Sequence, residues 1–290
     1  MAISKKRKPT FVLVIPRFED FFHSYYAGEI IRGVSLSASR LNADFLIHIT
    51  DRSNHKGWLD STLMDKNYVD GIIFADIDND VGIVKKAIHW GMPCIVLNNI
   101  LDEPINYVAV DNYSAALEVI THFIKFGHTQ IATVAGDVST QAGLRRLDGY
   151  RDALNEHNIR VSRSYITFGD FLRTPARSAA KKLLKLKNRP SAIFVASDVM
   201  ALEVIDVARS LGIRVPEELS IIGFDNNPFS VSGSVKLTTV SQPLMEMGRL
   251  GAENLYQISQ GKVKLPVKIV LPTKLIKRDS VSMVAGLEKE

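Results

Sequence analysis

The chain has 290 residues, of which 46% are hydrophobic and 23% charged, with 18 Gly and 11 Pro. This composition excludes a disordered, collagen-like or coiled-coil chain, and the length suits about two domains. No apolar run approaches the ~20 residues that span a bilayer, and the run near the start, Phe11–Pro16, is too short for a signal peptide. A cytoplasmic protein is expected, and the single cysteine, Cys94, fits a reducing compartment. The net charge is +5, but Lys5, Lys6, Arg7 and Lys8 are consecutive and without them the body holds 32 basic against 31 acidic residues. The basic character thus sits in an N-terminal tail, residues 1–9. It reads as a solvated stub or as a short arm beside a DNA partner.

Short apolar runs alternate with amphipathic segments along the whole chain. Phe11–Ile15 predicts a strand, Tyr26–Leu41 a helix, Phe45–Ile49 a strand and Leu59–Asn67 a helix. Gly71–Ala75 predicts a strand, Val81–Trp90 a helix ended by Gly91, and Pro93–Leu97 and Asn106–Val110 two further strands. Asp111 is placed to cap a helix over Tyr113–Phe126. The rhythm then restarts. Strands are expected at Gln130–Ala135, Tyr165–Phe168, Ala192–Ala196 and Leu219–Gly223. Helices are expected at Gly143–Glu156, Pro175–Leu186, Val199–Leu211 and Pro243–Ser259, and final strands at Lys268–Leu271 and Leu275–Ile276. Such alternation predicts βαβ units, mostly parallel sheets buried on both faces, and two similar α/β lobes.

In open α/β sheets ligands bind beyond the carboxyl ends of the strands. That rule selects the segment from Arg17 to Tyr26, then Asp76, Asn98 with Asn99, Gly136–Gln141 with Arg145 and Arg146, Ser197 with Asp198, and Asp225 to Phe229. Bidentate polar groups interleaved with aromatics suit a polyol or a purine. Competing local roles are equally open: Asp198 as a helix-start residue, the asparagines as turn formers, Tyr25 and Tyr26 as packing aromatics. Asp225 is the least ordinary, because a strand-end carboxylate with no local cap wants a partner. Catalytic signals are weak. There is no nucleophile elbow, phosphate loop or dinucleotide fingerprint, and the seven histidines do not fall at zinc spacings. His122 and His128 read as structural, His48 as packed, and Cys94 as an inert buried thiol. No metal, cofactor or catalytic residue is expected.

Several ordered stretches resemble the lactose-repressor/purine-repressor (LacI/GalR) family of transcriptional regulators. They are Tyr68–Ile73, Val108–Asn112, Phe126–Ala132 with Gly136, and Arg146-Leu147-Asp148-Gly149-Tyr150. Further on come Pro190–Phe194 with Ser197-Asp198, Val215–Ser220 with Gly223-Phe224-Asp225, Leu237–Val240, Gln242-Pro243 and Met247-Gly248. The resemblance implies a periplasmic-binding-protein type I fold, with two doubly wound parallel-sheet lobes joined by three crossovers. One lobe would span 10–111 plus 243–271 and the other 112–242 plus 272–290. It also implies an effector in the inter-lobe cleft, touched by Arg146, Phe171, Ser197, Asp198 and Asp225, with Asn98, Tyr25 and Tyr26 on the other side. Ser197 stands where the family usually has Asn, and His23-Ser24-Tyr25-Tyr26 replaces an Asn-Pro-aromatic-aromatic pattern. The implied function is the effector-sensing, homodimeric core of a regulator, binding a sugar, sugar phosphate or purine-like molecule. Operator DNA would be read by a helix-turn-helix, and the residues ahead of Phe11 hold none. The alternatives are a transporter's solute-binding protein and an enzyme on a similar scaffold.

Overall fold

The computed structural model describes residues 7–16, 24–50, 65–77 and 81–284. The helix expected at Leu59–Asn67 and the segment 17–23 lie largely or wholly outside them. The chain divides into two units, Met1–Val110 with Pro243–Leu271 and Asp111–Gln242 with Pro272–Glu290.

Unit 1 is built on β1 (Thr10–Pro16), β2 (Asp44–Thr50), β3 (Gly71–Ala75), β4 (Cys94–Leu97), β5 (Tyr107–Val110) and β11 (Lys268–Leu271). Their spatial order is β11-β5-β4-β3-β1-β2, and every pairing is parallel. Alternate residues of the inner strands β1, β3, β4 and β5 enter two different cores. Phe11, Leu13, Ile73, Ile95 and Val108 pack under α1 (Tyr25–Leu41) and α7 (Leu244–Ser259). Val12, Ile72, Phe74, Val96 and Ala109 pack under α2 (Val81–His89). A strand buried on both faces has no polar side to show, which is why these segments read as unbroken apolar runs.

Unit 2 repeats the plan with β6 (Ile131–Ala135), β7 (Ile166–Phe168), β8 (Ala192–Val195), β9 (Ser220–Asp225), β10 (Thr238–Ser241) and β12 (Lys274–Ile276). The order is β12-β10-β9-β8-β6-β7, parallel except for the antiparallel β12. Helices α3 (Asn112–Lys125) and α4 (Gln141–Glu156) cover one face; α5 (Arg173–Leu184) and α6 (Asp198–Ser210) cover the other. The Asp111 carboxylate caps α3 by accepting from Ser114 N at 3.0 Å.

Three expectations need correction. β2 is an edge strand, with Leu46 42% and Ile47 48% exposed, so its apolar run is not buried on both faces. β10 is a strand where sequence pattern predicts none, because Thr238 and Thr239 break its apolar character. Both are buried, and their hydroxyls are used by Asp198 and by the Arg278 backbone N–H. Arg7 is not merely solvated: it pairs with Asp70 at 2.9 Å.

In unit 1, α1 and α7 approach at backbone distance. A Cβ on Gly33 would lie 2.0 Å from the Met245 carbonyl oxygen, and one on Gly248 would lie 2.4 Å from the Ile30 carbonyl oxygen. Neither neighbour can rotate away, because both are backbone atoms. Gly33→Ala should therefore destabilise the protein by about 1–3 kcal/mol, the usual cost of overpacking. Chemical denaturation checks this, and an unchanged midpoint would contradict the packing described.

Candidate ligand-binding site

Six of the eight non-glycine residues in the left-handed region among the described residues lie at or just beyond the carboxyl ends of strands. Asp76 (φ 73°) follows β3 and Asn98 (φ 66°) follows β4. Asp170 (φ 52°) and Phe171 (φ 62°) lie beyond β7, and Asp225 (φ 122°) and Asn226 (φ 58°) end β9. Asn and Asp tolerate this region best, while for a bulky Phe it is a real strain. Strain of roughly 1–3 kcal/mol per residue persists where the surroundings impose it, and it concentrates at functional sites. Phe171 shows the cause. Its ring lies on Gly136 at the end of β6, where a Cβ would stand 2.1 Å from the ring Cζ.

Beside that ring, α4 delivers Arg146 into the interior of unit 2, where it is 3% exposed. Its Nε donates to Asn112 Oδ1 at 2.8 Å, and one terminal nitrogen donates to the Ala196 carbonyl at 2.6 Å. The guanidinium carbon stands 3.5 Å over the Phe224 ring and 5.8 Å from that of Phe171. A weakly hydrated planar cation suits such stacking, and two anchored donors fix its plane. The neighbouring Arg145 is half-exposed and lies over Tyr113 instead.

Asp225 follows Phe224 directly. Its Oδ1 accepts from Gln242 Nε2 at 2.6 Å. Burial raises its pKa to about 6, against the opposing pull of Arg146 and of the Gln242 hydrogen bond. Gln242 is itself 5% exposed, and its Oε1 is a buried acceptor with no partner. Buried polar atoms are nearly always satisfied, so an orphan beside a charged pair is a place for a ligand's donor.

Ser197 and Asp198 have different duties. The Ser197 hydroxyl caps α6, accepting from Met200 N at 3.4 Å. Asp198, which the family resemblance places at the effector, is fully buried, and both its oxygens are engaged. Oδ1 accepts from the Thr239 hydroxyl at 2.6 Å, and Oδ2 from Asn227 N at 2.7 Å. Burial, then the nearby Asp225, pushes its pKa well up. Gly223 makes room for it, since a Cβ there would lie 2.2 Å from Asp198 Oδ1. Asp198 therefore holds the loop after β9. Arg278 does the same from the other side, through Asn226 Oδ1 at 2.5 Å and the Leu237 carbonyl at 2.6 Å. Phe229, in that loop, is 68% exposed.

Unit 1 carries its own set. Tyr25 and Tyr26 open α1 behind the Ser24 cap and pack half-buried against its core. Asn98 is 4% exposed with an unpartnered Oδ1, and Asn99 is fully buried with neither amide atom partnered. A carboxamide left unsatisfied costs about 1–3 kcal/mol, which a ligand's hydroxyls would return. His122, His128 and Cys94 have structural surroundings. His128 bridges the Ser191 hydroxyl (2.9 Å) and the Ser282 carbonyl (3.0 Å), and His122 stacks on Phe126 at 4.6 Å. His48 is part-buried in β2, and burial raises the pKa of the Cys94 thiol.

Asn112 and Gln242 escape sequence reasoning as parts of the site. Both stand within stretches that carry the family resemblance, yet no periodicity signals that a side chain reaches Arg146 or Asp225.

The periplasmic binding protein-like domain model matches residues 120–281. The HTH-type transcriptional regulator DegA of Bacillus subtilis is 33% identical over 97% of this chain and 83% of its own length. The HTH-type transcriptional repressor CytR of Escherichia coli is 32% identical over 90% of this chain and 75% of its own. A solved complex of the transcriptional regulator CelR with cellobiose is 29% identical, with a TM-score of 0.87 over 95% of this chain and 85% of that one. These relatives are regulators rather than enzymes or transporter components. Sheet order, charged strand ends and kinship agree: the chain belongs to the LacI family of transcriptional regulators, as its effector-binding core.

Proposed function

We propose that the effector is a sugar-like molecule whose hydroxyls are read by Arg146 and Asp225. The supporting observation is their setting: a stacked, anchored guanidinium beside a carboxylate held up to about 6, with the orphaned Gln242 Oε1 next to them. A carboxylate accepts from two neighbouring hydroxyls, a guanidinium donates to one or two, and an aromatic face covers a sugar's apolar side. In unit 2 the effector-contacting groups are Arg146, Phe171, Ser197 and Asp225, with Asp198 behind them. In unit 1 they are Asn98, Tyr25 and Tyr26. The solved relative CelR holds cellobiose, which makes neutral saccharides the first compounds to try, ahead of sugar phosphates and nucleosides.

The protein works by binding rather than turnover, acts in the cytoplasm and reports effector occupancy to a DNA-reading element of the kind its relatives carry. Among the described residues no helix is long and apolar enough to cross a membrane. It pairs as a homodimer, the commonest closed assembly.

Titration calorimetry over such a panel tests the effector reading. Arg146→Ala and Asp225→Ala should each weaken binding by about tenfold to several-hundredfold while the protein stays folded, because each removes a charged hydrogen-bond partner of the ligand. Wild-type affinity in both variants would remove the site. Sedimentation should give twice the 32.2 kDa chain mass at micromolar concentration. A monomer independent of concentration would contradict pairing.

A further inference from the structure

The partners of Arg146 and Asp225 occupy particular places in the chain. The first passage from unit 1 to unit 2 falls between Val110 and Asp111, and the second passage, back again, between Gln242 and Pro243. Asn112, which holds Arg146 Nε at 2.8 Å, is the second residue of unit 2 after the first crossover. Gln242, which donates to Asp225 Oδ1 at 2.6 Å, is the last residue before the second. Each effector-reading charge thus grips one crossover through a single buried amide side chain, with Asn112 4% and Gln242 5% exposed.

We propose that Asn112 and Gln242 are positioning residues that couple Arg146 and Asp225 to two of the three crossovers, so that a change at the charges is transmitted to the backbone joining the units. The inference deepens the effector reading and takes its purpose from it, but the linkage itself is testable without any ligand.

The local backbone is built to feel such a pull. Asn112 begins α3 immediately after the Asp111 cap, which is closed by Ser114 N at 3.0 Å and the Ser114 hydroxyl at 2.6 Å. A shift of Arg146 that drags Asn112 must therefore disturb the first turn of α3. Gln242 lies between β10 and the first turn of α7, where Met247 N donates to the Pro243 carbonyl at 2.9 Å. Ser241, beside it, is in register with Asp225 across β9 and β10. Arg146 and Asp225 also feel each other electrostatically, so a ligand that engages one alters the load on both crossovers. Coupling of this kind requires a contiguous physical link between the element that binds and the element that moves. Here each link is one hydrogen bond long.

Amide hydrogen exchange on the full chain tests this in the absence of effector. Arg146→Met and Asn112→Ala should both speed exchange over residues 110–116, by about fivefold, the change expected for losing one net hydrogen bond. Asn112→Asp keeps an acceptor for the guanidinium and should restore the wild-type rate. Asp225→Ala and Gln242→Ala should speed exchange over residues 240–247. Residues 186–192, at the opposite end of the unit 2 strands, should stay unchanged in all of them. If Arg146→Met does not fold, the Asn112→Ala and Asn112→Asp pair decides. Wild-type exchange at both crossovers, a uniform rise throughout unit 2, or failure of Asn112→Asp to rescue would overturn the proposal. Failure of every sugar to bind, with the exchange changes intact, would instead strike the effector reading and leave the linkage standing.

Discussion

The candidate site depends on a carboxylate and a guanidinium that feel each other's charge where burial penalises the charged carboxylate. Burying one charge without a partner costs several kcal/mol, whereas a charge that is hydrogen-bonded and near an opposite charge is tolerated. Asp225 is caught between these demands. Burial drives its pKa upward, and Arg146 with Gln242 holds it down to about 6. Arg146 is constrained in turn by Asn112, by the Ala196 carbonyl and by the Phe224 ring. The protein therefore carries a carboxylate that is only partly compensated and a buried acceptor, Gln242 Oε1, that has no hydrogen-bond partner. A ligand's hydroxyls would return what that arrangement costs.

The fold dictates why these groups stand at the strand ends. Both faces of each sheet are occupied by helices, so the only place for polar side chains to converge is beyond a strand's last residue. The chain turns sharply there, and left-handed backbone at Asn98, Phe171 and Asp225 marks the turns. Small residues make the close approaches. Gly136 admits the Phe171 ring, and Gly223 admits the Asp198 carboxylate. Behind the loop, Asp198 and Arg278 fix residues 225–227 from two sides, so Asp225 is presented by a rigid support.

The two-sided burial of the inner strands is legible in the sequence, because unbroken apolar runs such as Gly71–Ala75 and Ala192–Val195 leave no polar face for solvent. Sequence pattern misleads where burial and apolarity part company. β2 is apolar and exposed because it ends its sheet. β10 is half threonine and buried because each hydroxyl has a dedicated partner. At the strand ends, Asp225 is conspicuous as a carboxylate with no cap to make, and the structure gives it a half-buried setting with Gln242 as its partner. Asp198 follows the same strand ends, and its oxygens accept from Thr239 and Asn227. Asn112 and Gln242 are invisible as partners of the charges. Their contacts cross 34 and 17 positions of sequence and obey no period.

The balance of burial against Arg146 at Asp225 is open to direct measurement. The carboxyl carbon of Asp225 can be followed by NMR across pH in the wild type and in Arg146→Met. Titration is expected near pH 6 in the wild type and at higher pH in the variant. The cation that favours the charged form would be gone, while burial, which favours the neutral form, remains. Titration in the ordinary range near 3.9, unmoved by loss of Arg146, would contradict it.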